Sequence, residues 1–505
     1  MKLTLRILSS MLLFVFLLSV IACSSGDSDS NKDKENTSVT TEQKTENPNG
    51  IATLYRDLED SVPALNFEGE TIRFLTLVKD ETSTSLRYVY DNELWVDELT
   101  SDPLSDSIYN RNMYAMERLN CKIVSEQADA SDIKQLLEKT HFADEDVYQV
   151  VGFTVAGALD LALGGYFRNI NALENNYIDF DAPWWSRQFL DEVSANDNIY
   201  VLAGSLSLSM TRSIHATFFN KRIAEEQKVE NLYDVVNDGR WTIDYQTQLV
   251  SDMYRDVNGD DVRDKEDEYG FCSPKYWSTD AYFSAFDIDI LSKNDDGEFE
   301  FTLNEEKAYD GLSKILALCY GKGSFSDIAG TSDADDLFVS GNAFMITQKL
   351  ACAEAQIFRN MRDDYGILPM PKYDEKQSEY YSMPFEVFQT YSVPKTNTNP
   401  EKATALLEVL CAESWRKVMP IYSEVVLKGK YLSDPQSRTM FDMIVSNTRV
   451  DAGLVYVAHT SEIGAFLYRY PVENNKITEF TKNLASKNRI MKMCIKNLNE
   501  LAFKE

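Results

Sequence analysis

Histidine is scarce in this sequence, and the residue patterns of the common enzyme classes are missing. The 505 residues include three histidines, His141, His215 and His459. There is no HExxH, no GxSxG, no glycine-rich phosphate loop with lysine and no recognisable Cys/His pair. The sequence therefore favours a protein that is not an enzyme. Acidic pairs are abundant, so a secreted glycosidase, which needs two carboxylates across a cleft, stays open as an alternative.

Positive charge is also in short supply. The chain has 50 Lys and Arg against 81 Asp and Glu, which gives a formal net charge of −31. A surface of this sign repels the phosphates of nucleic acids and of anionic lipids. We therefore exclude nucleic acid as a partner and expect no membrane contact through the folded surface.

Long apolar runs are absent after the first residues. The stretch from Ile7 to Ile21 is nearly all apolar and follows the cations Lys2 and Arg6. Its length is that of a secretory signal and is too short for a comfortable membrane span. Later stretches do not approach eighteen uninterrupted apolar residues, so no other segment is predicted to span a bilayer.

The end of this apolar stretch reads Val-Ile-Ala-Cys, which resembles the bacterial lipobox. In that motif the cysteine, here Cys23, becomes the lipidated first residue after cleavage; the alternative is an ordinary signal peptide with a stray cysteine. Residues 24–50 contain one clearly apolar residue, Val39, and cannot bury enough surface to order themselves. We predict a signal peptide over 1–22, a disordered tether over 23–50, and a lipid anchor at the outer face of the cell membrane.

Cysteine motifs of the zinc-binding kind are missing. The six cysteines after Cys23 are far apart and form no CxxC. Their even number permits disulfides without requiring them. Those in apolar helical contexts are predicted to pack as small hydrophobic residues: Cys319, Cys352 and Cys411.

What is present is an alternation of strand-like and helix-like segments. ETIRFLTL (70–77), CKIVSEQ (121–127) and DVYQVVGF (146–153) are typical of strands, and SDIKQLLEK (131–139) begins a helix at Ser131. This order predicts a parallel α/β layer. Residues 200–220 alternate β-like and small residues, which indicates strands that cross between two lobes.

Four longer stretches resemble a known family. They are IDFDAPWW (178–185), the segment from FFNKRIAEEQ to DVNGD (218–260), DDLFVSGNAFM (335–345) and DYGILPMPKYDEKQSEYYS (364–382). In order and spacing they resemble the extracellular solute-binding lipoproteins of bacterial ABC importers, in particular the family 1, sugar-binding type of Gram-positive anaerobes.

The resemblance implies an α/β, two-lobed fold of the periplasmic-binding-protein type, with hinge strands and a helical C-terminal segment. The first lobe would cover 51–217, the second 218–390, and 391–505 would return to the first lobe and end in helices. A monomer would capture a carbohydrate, most simply an oligosaccharide, between the lobes and deliver it to the permease subunits. A peptide or another non-sugar solute is the alternative ligand.

One acidic loop matches the spacing of a helical calcium loop, which needs oxygens at positions 1, 3, 5, 7, 9 and 12. Asp261 stands at the sixth position, where the usual loop has glycine, and the twelfth is Asp rather than Glu, so we expect weak binding. We predict a structural Ca²⁺ ion here, and a solvated turn is the alternative. The ligands would be Asp256, Asn258, Asp260, the carbonyl of Val262, Asp264 and Asp267.

Sugar sites combine a stacking aromatic ring with polar side chains, because sugars present apolar C–H faces ringed by hydroxyls. Aromatic residues make up 12% of the chain, and for any one of them packing in the core is the alternative role. After Pro183 the candidates are Trp184 and Trp185, and after the acidic loop they are Tyr276, Trp277 and Asp280. Arg212 and His215 lie in the presumed crossing, where a buried structural role is the alternative, and Glu386 is a further candidate beside Phe385.

Overall fold

The computed structural model describes residues 58–78, 93–274, 278, 280–327, 330–427 and 435–502. The predicted signal peptide, Cys23 and the tether therefore lie outside the described residues. The strands are β1 (Glu70–Leu77), β2 (Cys121–Ala128), β3 (Val150–Thr154), β4 (His215–Asn220), β5 (Tyr269–Pro274), β6 (Leu291–Lys293), β7 (Phe299–Phe301), β8 (Ser324–Asp327), β9 (Ala343–Lys349), β10 (Tyr365–Leu368) and β11 (Gln389–Ser392).

Helices separate most of these strands. They are α1 (Pro103–Leu119), α2 (Ala130–Ala143), α3 (Val155–Leu163), α4 (Arg187–Val193), α5 (Leu208–Arg212), α6 (Lys221–Glu226), α7 (Leu232–Asn237), α8 (Ile243–Val250), α9 (Asp280–Ala285), α10 (Glu305–Tyr320), α11 (Asp333–Val339), α12 (Gln356–Arg359), α13 (Pro400–Glu413), α14 (Met419–Leu427), α15 (Pro435–Ser446), α16 (Ala452–Val455), α17 (Tyr470–Glu473) and α18 (Ile477–Ala502). Short 3₁₀ turns cover Ile170–Ala172, Leu350–Glu354 and Val457–His459, and π-helical turns cover Ser414–Val418 and Ala465–Arg469.

The first sheet has the order β11-β3-β1-β2. β1 pairs in parallel with β2 and β3, and β11 closes the sheet antiparallel to β3. Helix α1 begins after β1 because its first residues stabilise a helix start. Asp102 caps it by accepting a hydrogen bond from the Ser105 N–H at 2.8 Å, and Pro103 occupies the first helical position. This sheet and the helices packed on it form what we call the first lobe. The predicted parallel α/β layer is confirmed.

The second sheet has the order β10-β4-β9-β5-β8. β5 pairs in parallel with β8 and β9, whereas β4 is antiparallel to β9 and β10. All residues of β4, β5 and β9 are buried, because α8, α10, α11 and α15 pack against this sheet. This sheet and its helices form the second lobe. A separate two-stranded sheet, β6-β7, is formed by the chain between β5 and β8.

Three segments cross between the lobes. In the first crossing (201–214) and the second crossing (383–388), the chain runs antiparallel: the His215 N–H donates to the Met383 carbonyl and the Phe385 N–H to the Ser213 carbonyl, each at 3.0 Å. The third crossing (447–453) contacts the chain immediately before the second, where the Arg449 N–H donates to the Ser382 carbonyl at 2.8 Å. The crossings therefore form a connected band between the two sheets.

The predicted strands over 200–220 are only partly correct. The last residues become β4, but Leu208–Arg212 form the short helix α5. The reason is that Ser209 is held by two groups from elsewhere: its N–H donates to a Glu93 carboxylate oxygen at 2.6 Å and its hydroxyl accepts from the Gln389 N–H at 2.9 Å. Tertiary contacts override the local β preference here.

The C-terminal helices serve both lobes. α13 packs on α1 of the first lobe, α15 on β10 of the second, and α18 on α10 and β7. No helix among the described residues combines the length and apolar character that crossing a membrane requires. The six described cysteines are unpaired, five of them buried and Cys494 partly exposed.

Candidate functional site at the junction of the lobes

Two of the candidate carboxylates come together around an arginine that sequence reasoning did not select. The Arg469 Nε donates to Asp280 Oδ2 and its Nη2 donates to Glu386 Oε1, both at 2.6 Å. Asp280 opens α9 of the second lobe, Glu386 lies in the second crossing, and Arg469 ends a π-helical turn. Turns of this kind are frequent at functional sites. One guanidinium thus joins three separate parts of the chain.

This cluster contains buried polar atoms with no hydrogen-bond partner among the described residues. They are the second carboxylate oxygens, Asp280 Oδ1 and Glu386 Oε2, and the hydroxyl of Tyr468. Leaving such a group unsatisfied costs about 1–3 kcal/mol. A ligand or an ordered water that donates hydrogen bonds removes this cost. The ring of Tyr468 stacks on Phe283, with centroids 4.0 Å apart and planes inclined by 22°, and this stacking fixes its orientation.

His215 adds a further acceptor at the start of β4. Its Nδ1 lies 3.1 Å from the Met383 carbonyl, which can only accept, so Nδ1 carries the proton and Nε2 is an acceptor. Nε2 has no partner among the described residues. Burial, together with the charge of Lys349, lowers the pKa of His215 to about 3. The imidazole is therefore neutral at physiological pH.

The cluster carries less negative charge than its two carboxylates suggest. Burial raises the pKa of Asp280 to about 7; the Arg469 guanidinium acts in the opposite direction, and the Glu386 carboxylate adds to the rise. We call Asp280, Glu386, Tyr468 and Arg469 the junction site and include in it His215, which is bonded to Met383 of the crossing that carries Glu386. The unpartnered atoms of these residues can accept hydrogen bonds from hydroxyl groups.

Arg212, also a candidate, has a structural partner instead. Its Nε and Nη2 donate to the two carboxylate oxygens of Glu354 at 3.2 and 3.0 Å, and its guanidinium lies 5.7 Å from the centroid of the Tyr422 ring. The pair joins α5 of the first crossing to the 3₁₀ turn after β9. We assign Arg212 to the support of the crossing rather than to the junction site.

Trp184 and Trp185 are buried, 3% and 4% exposed. Their indole N–H groups donate to the two oxygens of Glu408 in α13, at 2.9 and 2.7 Å. Burial raises the pKa of Glu408 to about 7, against the effect of these hydrogen bonds. Both tryptophans thus belong to the core of the first lobe, the role given as the alternative to stacking on a sugar. Tyr276 and Trp277 lie outside the described residues.

The acidic loop at 256–267 is closed by its own backbone. Asp256 accepts hydrogen bonds from the N–H groups of Gly259 at 2.6 Å and of Asp261 at 3.0 Å, and Asp260 accepts one from Val262 at 2.8 Å. Gly259 and Asp261 both have positive φ, 74° and 58°. Asp261 therefore adopts the left-handed conformation that the sixth position of a calcium loop requires and that glycine adopts at less cost.

The donor set of this loop does not form a ready metal cage. Asp264 accepts from the Glu266 N–H at 2.8 Å, Asn258 accepts from the Asp260 N–H at 3.1 Å, and the buried Asp267 accepts from Val257 and from the Tyr254 hydroxyl. Among the described residues, no three His, Cys, Asp or Glu side chains are placed together to hold a metal ion. Calcium binding by this loop stays a prediction.

Sequence reasoning missed three residues that organise this region: Arg469, Tyr468 and Glu93. Glu93 is buried and accepts hydrogen bonds from the Ser209 N–H, the Gln389 amide and the Tyr391 hydroxyl at 2.6, 3.0 and 3.0 Å. Burial raises its pKa. For Arg469 there was a usable signal, since it is a lone cation within the aromatic run FLYRYP (466–471). Nothing in the sequence around Glu93 marks it.

Solved structures share this architecture. A cyclo/maltodextrin-binding protein complexed with maltotetraose is 12% identical, with a TM-score of 0.55, over 84% of this chain and 97% of that one. An ABC substrate-binding protein from Listeria monocytogenes in complex with cycloalternan is 13% identical, with a TM-score of 0.52, over 84% and 100%. A family 1 extracellular solute-binding protein from Bifidobacterium longum subsp. infantis is 13% identical, with a TM-score of 0.52, over 84% of this chain and 100% of that one.

At these identities the likeness establishes the fold alone. No protein-family model matches the chain, and no curated protein matches it in sequence. The predicted fold class, α/β with two lobes of the periplasmic-binding-protein type, is confirmed.

Proposed function

We propose that this protein captures a neutral oligosaccharide at the junction site, between its two lobes, and does not transform it. The observation that carries the proposal is the set of buried, unpartnered acceptors at the junction: Asp280 Oδ1, Glu386 Oε2 and His215 Nε2. Sugar hydroxyls are donors that satisfy such atoms. The shared fold with proteins crystallised with maltotetraose and cycloalternan supports the same ligand class.

The burial of the site is consistent with capture by closure. Asp280 and His215 are each 1% exposed in the arrangement described. A ligand reaches these two residues only when the lobes separate, and the three crossings can act as the hinge for this movement. Binding energy gained at the junction then favours the closed arrangement over the open one.

A glycosidase is the second candidate, because Asp280 and Glu386 form a carboxylate pair of unequal environment. Retaining and inverting glycosidases both need one carboxyl that protonates a leaving oxygen and one free carboxylate. Here both carboxylates share one guanidinium, which restrains both from moving against a substrate. Together with the solved structures, which are binding proteins, this favours binding over hydrolysis.

The remaining parts of the proposal concern where the protein works. A lipid on Cys23 would hold it at the outer face of the cell membrane, with residues 23–50 as the tether. ABC permease subunits would receive the sugar from the closed form. The protein would act as a monomer, since one chain contains both lobes.

A thermal-shift screen tests the ligand class. We expect at least one neutral oligosaccharide of two to seven hexose units to raise the melting temperature in a concentration-dependent way, because a ligand that binds only the native state stabilises it. Short peptides form the comparison set. Stabilisation by peptides and by no sugar would reject the carbohydrate assignment in favour of the alternative solute.

We also propose the predicted calcium ion at the acidic loop, and its removal gives a separate test. For a site with a dissociation constant of about 10⁻⁴ M, about 2 mM Ca²⁺ stabilises the native state by about 1–2 kcal/mol over EDTA. The melting temperature should therefore rise with Ca²⁺, and the rise should be much smaller in Asp264→Ala, which removes the oxygen ligand at the ninth position. Equal melting in Ca²⁺ and EDTA would leave the loop as a solvated turn.

A further inference from the structure

The third crossing ties the first lobe directly to the second. On its first-lobe side, the Gln188 side chain of α4 accepts from the Val450 N–H and donates to the Val450 carbonyl, at 3.0 and 3.1 Å. On its second-lobe side, Asp451 accepts from the Ile290 N–H at 2.8 Å, immediately before β6. Movement of one lobe against the other strains these bonds.

Carboxylates gather at this tie. Glu192 of α4 accepts from the Ala452 N–H at 2.9 Å, and the second oxygen of Asp451 accepts from the Gly453 N–H at 2.7 Å. Asp289, from the second lobe, is bound by Arg449 of the crossing at 2.5 Å. Asp451 is 2% exposed. We call Glu192, Asp289 and Asp451 the carboxylate tie; one comes from each lobe and one from the crossing between them.

Further charged and titratable groups interact directly with the carboxylate tie: Asp287, Lys293, Lys307, Arg449, Tyr456 and Tyr468. Asp191 and Asp197 interact with Lys293, and Tyr200 interacts with Tyr456, so these three residues lie one step further out. When both sets and the tie itself are counted, six carboxylates stand against three cations. Full ionisation of the tie therefore leaves an excess of negative charge in this region.

The carboxylate tie holds protons more firmly than free carboxylates do. Burial raises the pKa of Glu192 to about 7 and that of Asp451 to about 8, and for Asp451 the charges of Asp289 and Glu192 add to the rise. Burial also raises the pKa of Asp289. A carboxyl whose pKa is raised in this arrangement contributes to its stability. The contribution is fully present below about pH 4, the ordinary pKa of a carboxyl, and is lost as the pH rises through 7 to 8.

We propose that Glu192, Asp289 and Asp451 form a proton-controlled tie between the lobes, which holds them together in mildly acidic surroundings and loosens as the three side chains ionise. Like-charge repulsion then acts directly between groups on opposite sides of the crossing. The inference concerns the protein without ligand, so it does not depend on which solute the junction site takes.

The test is a pH series on the full chain without ligand, read by melting temperature and by the radius of gyration from X-ray scattering. Between about pH 6 and about pH 9 we expect the wild-type melting temperature to fall and its radius of gyration to increase. Glu192→Gln keeps the acceptor for Ala452 but cannot ionise, so it should remove about a third of both changes. Glu192→Gln with Asp451→Asn should remove most of them.

Asp181→Asn is the matched control, because the Asp181 side chain is 89% exposed and its pairing with Arg187 is on the surface. It should keep the wild-type pH dependence. A wild-type radius that does not change with pH, or a Glu192→Gln variant that retains the full wild-type change, would overturn the proposal. If the double variant does not fold, the single variant decides.

Discussion

Asp280→Asn should lower the affinity for the sugar by about tenfold to a hundredfold, which corresponds to the loss of one hydrogen bond to a charged group. The asparagine has nearly the same shape, but it replaces one carboxylate oxygen with an N–H₂ group that cannot accept from a hydroxyl. Because the change also removes one partner of the buried Arg469 ion pair, we expect the melting temperature to fall, but by less than on loss of Arg469, since Glu386 still binds the guanidinium. Titration calorimetry with the sugar that gives the largest thermal shift measures the affinity.

The surface variant Asp244→Asn is the control for this change. Asp244 pairs with Lys314 at 2.6 Å but its side chain is 64% exposed, so its loss should leave the affinity unchanged. Glu386→Gln should weaken binding in the same way as Asp280→Asn. Wild-type affinity in both junction variants would place the sugar elsewhere in the protein.

Arg469→Met should lower the free energy of unfolding by about 3–5 kcal/mol, the usual cost of removing one partner from a buried ion pair. It leaves Asp280 and Glu386 buried with no cation between them. The pKa of Asp280, already raised by burial, then rises further without the guanidinium, so part of the stability should return as the pH is lowered. Thermal or urea unfolding at two pH values measures both effects.

Two further variants make this result specific. Arg469→Met combined with Asp280→Asn and Glu386→Gln removes the charges together and should recover most of the stability. Arg240→Met removes a surface arginine that binds Glu230 at 2.9 Å, with its side chain 37% exposed, and should cost less than about 1 kcal/mol. Equal losses for Arg469→Met and Arg240→Met would mean that the junction is not the desolvated cluster described.

The strands of the first sheet were largely predictable from local pattern, although the predicted strand 146–153 begins four residues before β3, whereas in the second sheet only β4 was indicated. ETIRFLTL coincides with β1, and CKIVSEQ lies within β2. A short segment of alternating or continuous apolar residues between polar turns is typical of a strand and is too short for most helices. The boundary of α2 differed slightly: the helix follows Asp129 and not Ser131. In the first crossing the same reasoning was only partly correct, since Glu93, more than a hundred residues away, fixes Ser209 in a helix.

The junction site was predictable only in part. Asp280 was selected because it follows the acidic loop and Glu386 because it stands beside Phe385, and the structure brings both to one arginine. Arg469 lies far along the chain from both, and a contact of such long range leaves no mark in local spacing. The same limit explains the two tryptophans, whose partner Glu408 lies more than two hundred residues later.

The most direct measurement combines calorimetry with product analysis on the purified wild-type protein and the sugar found in the screen. We expect saturable binding of one sugar per chain, a decrease in the radius of gyration when the lobes close on it, and the same sugar recovered intact after prolonged incubation. Appearance of shorter sugars would make the protein a hydrolase. Binding without any change in lobe separation would contradict capture between two moving lobes.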